Sequence, residues 1–298
     1  MVAVVPEAAP GSVLSIQSRV SYGYVGNSVA AFALQRLGRE VWAVDTVRFS
    51  NHPGYGAWTG APAAASDVQS IIDGIAARGV LRGCAAVLSG YLGTEAVGGA
   101  VLHGIDLVRA ANPSALFCCD PVIGDFGPGV YVGPGIPGLL RSKLVPAADV
   151  LTPNQFELQH LTGMGVATAD EAAAAAAQLR TVMRPGAVVL VTSIRVSGTP
   201  SDALDMAAFG DSGSWWLRTP LLPIMPSGAG DLMAALFLHC LLAGSGMAEA
   251  LEAAGNAVFG VLAQTVATGS REMQVILAQD EIVSPTHRFS VEPRFRRG

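Results

Sequence analysis

Charge is scarce in this 298-residue chain. Asp, Glu, Lys and Arg make up 14% of it, and the net charge is −5 with histidine neutral. That balance argues against nucleic acid or an anionic membrane as a partner. The one basic cluster, Arg294, Arg296 and Arg297, reads as a solvated C-terminal tail. Cysteine is also sparse. Cys84, Cys118, Cys119 and Cys240 contain no C-x-x-C pair and read as free thiols in a reducing, cytoplasmic setting. The five histidines (52, 103, 160, 239, 287) have no zinc spacing. No G-x-S-x-G run occurs, so a hydrolase elbow has no support. No G-x-x-x-x-G-K-[ST] run occurs, so a P-loop is excluded. Residues 1–12 lack the basic and apolar regions of a signal peptide. The most apolar stretch, 232–243, is too short to span a bilayer. A soluble, cytoplasmic protein is expected.

What the chain has in quantity is apolar residues (51%) and glycine (35 residues), the composition of a tightly packed core. Apolar runs alternate with helical patterns. Strands are expected at 13–17, 41–46, 85–89, 114–119, 149–152 and 187–192, and an antiparallel pair at 203–209 and 214–219. Helices are expected at 27–37, capped by Asn27, then at 66–78, 94–111, 137–143, 154–161, 169–183, 228–243 and 247–267. Residues 18–23 and 49–56 read as polar loops, and 124–137 as a Gly/Pro-rich flap. Alternation of this kind predicts an α/β fold whose mostly parallel sheet carries helices on both faces. Ligands then bind beyond the carboxyl ends of the strands. Ser18, Thr46, Tyr91, Asp120, Asn154 and Thr192 all fall at such ends.

The organising stretch is Pro226-Ser-Gly-Ala-Gly-Asp231, followed at once by an apolar helix pattern. A glycine turn opening a helix can hold an anion on backbone N–H groups and the positive end of the helix dipole. A carboxylate beside an anion makes sense if it must take a proton from an attacking hydroxyl. The plainer reading is a glycine turn with Asp231 as helix cap. Other residues carry the same two readings. Asp120 and Asp125 either end a strand or sit near a phosphate-bound Mg²⁺. Glu157 either completes a capping box with Asn154 or approaches the metal through water. Ser18, Thr46 and Tyr91 suit a polar, uncharged ligand, with Tyr91 offering a ring face.

Seven stretches, in this order, carry a resemblance. They are Ser15-Ile-Gln-Ser-Arg-Val20 with Tyr22-Gly-Tyr-Val-Gly-Asn27; Thr46-Val-Arg-Phe-Ser-Asn-His52; Val87-Leu-Ser-Gly-Tyr-Leu-Gly93; Asp120-Pro-Val-Ile-Gly-Asp125; Thr152-Pro-Asn-Gln-Phe-Glu157; Val191-Thr-Ser193; and Gly228-Ala-Gly-Asp231. The sequence resembles the ribokinase-like kinases, most closely their pyridoxal kinase branch. The resemblance implies a three-layer ribokinase-like domain over 12–290, with an N-terminal extension at 1–11 and a basic tail at 291–298. It implies transfer of a phosphoryl group from ATP to the 5′-hydroxymethyl group of pyridoxal, pyridoxine or pyridoxamine. By resemblance Asp231 is the base, with Gly228 and Gly230 as anion hole. Ser18, Thr46 and Tyr91 then hold the vitamin. Asp120, Asp125, Tyr131, Asn154, Glu157, Thr192 and Ser193 lie along the nucleotide; Pro226-Ser227 departs from the family's residues there, and Ser227 is placed to hydrogen-bond a phosphate or the substrate. Asp120, Asp125 and Glu157 organise Mg²⁺ and K⁺ or another monovalent cation, and the assembly is a homodimer. The alternatives are a kinase for hydroxymethylpyrimidine or a sugar, and a non-catalytic pyridoxal phosphate-binding protein.

Overall fold

The computed structural model describes residues 11–294. The rest of the expected N-terminal extension (1–10) and the last four tail residues (295–298) lie outside the described residues. In chain order the strands are β1 (Ser12–Tyr22), β2 (Val41–Asn51), β3 (Gly60–Pro62), β4 (Cys84–Ser89), β5 (Leu116–Cys119), β6 (Gly124–Asp125), β7 (Gly129–Val130), β8 (Val150–Leu151), β9 (Val188–Ile194), β10 (Ala203–Gly210), β11 (Gly213–Pro220) and β12 (Glu292–Arg294). The main helices are α1 (Asn27–Arg36), α2 (Ala65–Ala76), α3 (Glu95–Ala111), α4 (Gly135–Leu139), α5 (Val145–Ala147), α6 (Gln155–Thr162), α7 (Ala169–Val182), α8 (Ala229–Leu242), α9 (Met247–Thr268) and α10 (Gln279–Val283).

Ten strands form one sheet in the order β12-β11-β10-β9-β8-β5-β4-β1-β2-β3. The run from β2 to β9 is parallel throughout; β3 at one edge and β10–β12 at the other are antiparallel. Alternate residues of each central strand serve opposite faces, as a pleated strand requires. Leu14, Ile16, Val87, Phe117, Val189 and Val191 pack with α2, α3, α6 and α7. Val13, Ala86, Leu88, Cys118 and Leu190 pack with α1, α8 and α9. A strand buried on both faces reads as a continuous apolar run, which is why these strands stand out in the sequence. Full burial of a Leu, Ile or Phe among them contributes about 1.5–3 kcal/mol.

α9 is long and apolar enough, by length and composition, to cross a bilayer. Here Ala250, Leu251, Ala254, Ala257 and Val261 bury its apolar face in the core shared with α8 and β11.

Two departures from the sequence reading shape the site. The first is strand length. β1 and β2 run on to Tyr22 and Asn51 through stretches expected as loops, paired as Arg19–Arg48, Val20–Phe49 and Tyr22–Asn51. Those stretches are polar because the ribbon projects past the sheet's carboxyl edge, beyond the helices that would demand apolar side chains. The second is Asn27. Gly26, not Asn27, precedes α1 as its cap. The Asn27 amide is buried, accepting from Ser15 Oγ and donating to Val44 O and Asp45 Oδ1. On the other side of the sheet, Glu292–Arg294 of the expected tail pair with β11.

Candidate active site

The glycine loop meets the sheet at the start of α8. Gly228 takes the cap position with φ 94, and Asp231 is the third helical residue. No side chain caps this helix, so the cap reading of Asp231 fails and the first N–H groups stay free for a ligand. Gly228 is obligatory: a Cβ there would collide with Tyr24 O and crowd the Met273 methyl. A Cβ on Gly230 would meet open space, so glycine is not needed there for packing and instead leaves room above the helix end.

Gly26 connects Asp231 to the end of β1. Its N–H faces the Asp231 carboxylate. Its φ is 52, and a Cβ would collide with the Ser18 carbonyl and hydroxyl. Ser18 sits where the β1–β2 register shifts, between Gln17 and Arg19. Such an irregularity re-aims a side chain. The Ser18 hydroxyl has no protein partner among the described residues. Thr46, midway along the extended β2, is buried, and its hydroxyl donates to Tyr91 O just beyond β4 at 2.6 Å. Ser18, Thr46, Tyr91 and Asp231 therefore surround one corner of the carboxyl edge.

The other corner holds carboxylates. Asp120 is buried at the end of β5 and accepts from the Thr152 hydroxyl at 2.9 Å. Glu157 completes a true capping box with Asn154: Asn154 Oδ1 accepts the Glu157 N–H at 2.8 Å, and Glu157 Oε2 accepts the Asn154 N–H at 2.9 Å. Glu157 Oε1 also accepts the Ile123 N–H at 2.8 Å, and Asn154 Nδ2 donates to Gly124 O at 2.8 Å. This pair thus fixes the root of the flap formed by β6 and β7. Asn154 also bridges to Thr192, which places the two side by side.

Burial governs the electrostatics. Desolvation pushes Asp231 up to about 6, opposed by the Gly26 N–H. It pushes Glu157 up to about 7, against three backbone N–H groups. Asp120 is raised well above the carboxylate range, first by burial and then by Glu157 and Asp231. Tyr131, on the flap, is raised by burial and by the fields of Glu157, Asp120, Asp231 and Asp125. Its ring is half open to solvent, so the flap stands over the carboxylates without sealing them. Asp125 turns its Oδ1 onto its neighbour Phe126 N–H. Among the described residues, none of these acids pairs with Lys, Arg or His. Among the described residues, no three His, Cys, Asp or Glu side chains converge as a ready-made metal cage.

Ser193 is exposed and is the only non-glycine among the described residues with positive φ, 54. It follows Thr192 at the outer end of the row. Ser227 does not face that row; its hydroxyl lies 3.1 Å from His52 Nδ1. Gly26 and His52 are the participants that spacing alone did not single out. Gly26 had a weak signal in the Tyr-Gly-Tyr-Val-Gly-Asn run, but only the approach of Ser18 makes its glycine mandatory.

Comparison with known proteins bears on this geometry. A family model described as phosphomethylpyrimidine kinase matches residues 68–275. The pyridoxal kinase of Rubrobacter xylanophilus is 52% identical over 281 residues, covering 94% of this chain and 96% of the relative. That of Granulibacter bethesdensis is 51% identical over 280 residues, covering 93% and 98%. A solved structure of Leishmania donovani pyridoxal kinase in complex with ADP and pyridoxamine aligns with a TM-score of 0.88 at 30% identity, over 95% of this chain and 99% of that one. End-to-end likeness in sequence and in fold gives one conclusion: the chain belongs to the pyridoxal kinase family of ribokinase-like kinases.

Proposed function

We propose that this enzyme, an ATP-dependent pyridoxal kinase, uses Asp231 as the base that activates the vitamin's 5′-hydroxyl. The observation that carries the assignment is a carboxylate at the open, positive end of α8, raised toward neutrality and adjacent to Ser18 through Gly26. A base with a pKa near 6 is ionised at neutral pH yet basic enough to share a proton in the transition state. The hydroxyl proton passes to Asp231, the oxygen forms a bond to the γ-phosphorus, and ADP leaves with the electrons of the broken P–O bond. Free N–H groups at Gly228, Ala229 and Gly230 take up charge on the transferring phosphoryl group. Ser18, Thr46 and Tyr91 hold and orient the ring. Asn154, Thr192, Ser193 and Tyr131 line the nucleotide side.

The chain's one lysine, Lys143, lies in the helical segment before α5, and among the described residues no Lys or Arg pairs with the site's acids. Phosphate charge therefore needs another counterion. The buried carboxylates of Asp120 and Glu157, which have hydrogen-bond donors but no cationic partner among the described residues, and Asp125 beyond them, are hard donors that fit Mg²⁺ held through water. When bound, Mg²⁺ neutralises charge on the ATP phosphates; a monovalent cation fits the same acidic corner. The enzyme works as a homodimer in the cytoplasm, with small molecules as its other partners. A coupled assay of ADP formation with pyridoxal, pyridoxine, hydroxymethylpyrimidine and ribose tests the reading. Hydroxymethylpyrimidine earns its place through the description of the matching family model. Tight binding of B6 vitamers without turnover of any would sink the catalytic assignment.

A further inference from the structure

Ser227 is the only residue from 221 to 230 with a polar side chain. It spends that side chain on His52. The Ser227 hydroxyl and the Gly54 N–H both lie 3.1 Å from His52 Nδ1. A ring nitrogen that accepts a backbone N–H carries no proton, which puts the ring proton on Nε2 and makes Ser227 the donor. A hydroxyl has one proton. Once given to His52 it is not available to a phosphate oxygen, and the remaining lone pairs repel one.

The His52 segment is fastened at a second point. Tyr55 donates to Glu272 Oε1 at 2.5 Å. The Arg271 guanidinium lies 3.9 Å over the Tyr55 ring and donates to Gly54 O at 2.6 Å. The next residue, Met273, packs beside Gly228. A closed circuit of contacts results, from Ser227 to His52, through Gly54 and Tyr55 to Arg271 and Glu272, and back through Met273 to Gly228. Burial and the Arg271 charge favour neutral His52 against the pull of Glu272. Tyr55, pushed up to about 12 by its bond to Glu272, stays a phenol and a donor.

We propose that Ser227 is a positioning residue, whose hydrogen bond to neutral His52 holds the Gly228–Asp231 loop in register with the vitamin-side β2 loop. The joint ties the segment that follows β2, His52 to Tyr55, to the loop that opens α8 with Asp231. The inference rests on the reading of Gly228–Asp231 as the phosphoryl-transfer loop.

The test uses the full chain with Ser227→Ala, Ser227→Thr, His52→Leu and the Ser227→Ala/His52→Leu double variant. Loss of one neutral hydrogen bond predicts that Ser227→Ala lowers kcat for pyridoxal about 2- to 10-fold. KM for ATP should stay within about twofold, Ser227→Thr should restore kcat, and the double variant should be no worse than His52→Leu alone. Nitrogen-15 spectra of His52 give a readout that needs no turnover. The wild type should show an Nε2–H ring, and its titration midpoint should rise in Ser227→Ala, because the lost donor stabilised the neutral form. Unchanged kcat, a raised ATP KM with kcat held, independent losses in the double variant, or an unmoved His52 midpoint would each overturn the proposal. Absent pyridoxal turnover in the wild type would strike at the function itself, while the His52 spectra would still decide the contact.

Discussion

Asp231→Asn should make the protein more stable and nearly inactive in a single step. The Asp231 carboxyl lies within the protein, partly open only toward the cleft, and has no cationic partner among the described residues. Its pKa rises from 3.8 to about 6, with burial as the main cause. A shift of about two units corresponds to about 3 kcal/mol. The sign follows from the direction. The folded pKa lies above the unfolded one, so this group favours folding below about pH 4. That advantage is lost as pH rises through about 6, and at pH 8 the ionised carboxylate is a desolvated burden. Asparagine has nearly the same shape and keeps an oxygen to accept the Gly26 N–H. Water at the cleft mouth already recovers part of the cost, so a net gain of about 1–2 kcal/mol is expected, a rise of a few degrees in Tm. Losing the base should cut turnover about 10²–10⁴-fold. Thermal unfolding without ligand at pH 8 and pH 5, set beside pyridoxal turnover, measures both. The stability gain should shrink at pH 5, where the wild-type carboxyl is largely protonated. A variant less stable than wild type at pH 8, or one with kcat within about threefold, would refute the reasoning.

Three further outcomes follow from the same geometry. For the wild type, kcat/KM should fall about tenfold per pH unit below about 6, as the free-enzyme base protonates; this limb should be absent from the residual activity of Asp231→Asn. Gly26→Ala forces a side chain into the Ser18 carbonyl at positive φ, so soluble protein should show in denaturant unfolding a stability loss well beyond the few tenths of a kcal/mol typical of surface changes, with pyridoxal turnover lost. Asn154→Ala removes both the α6 cap and the hold on Gly124; denaturation should show about 1–2 kcal/mol of lost stability, and steady-state kinetics a raised KM for ATP with KM for pyridoxal little changed.

The central strands and the helices between them were legible in the chain because burial on both faces leaves nothing but apolar runs separated by polar ends. The polar positions from Ser18 to Thr192 were readable too, although Ser18, Thr46 and Thr192 lie inside β1, β2 and β9 rather than at their ends. The Asn154–Glu157 cap was readable because it is a contact three residues apart on one helix. What failed to show was whatever lay beyond the sheet's own pattern. β1 and β2 were cut short because a ribbon projecting into solvent keeps no apolar alternation. Asn27 passed for a cap because local sequence cannot reveal that Ser15, Val44 and Asp45 wait for its amide.

The same division runs through the Gly228–Asp231 loop. The sequence by itself determined that a glycine turn opens an apolar helix with a carboxylate in its first turn, because that information is local. Whether Asp231 capped the helix or faced a reactant depended on which N–H groups were free and how much protein enclosed it. Gly228 at the cap and Gly26 against Ser18 ruled out the cap and set the carboxylate beside Gly26, and each of these contacts, like that of His52 with Ser227, brings together residues far apart in the chain. Those contacts exist only once the sheet has set β1, β2 and α8 beside one another.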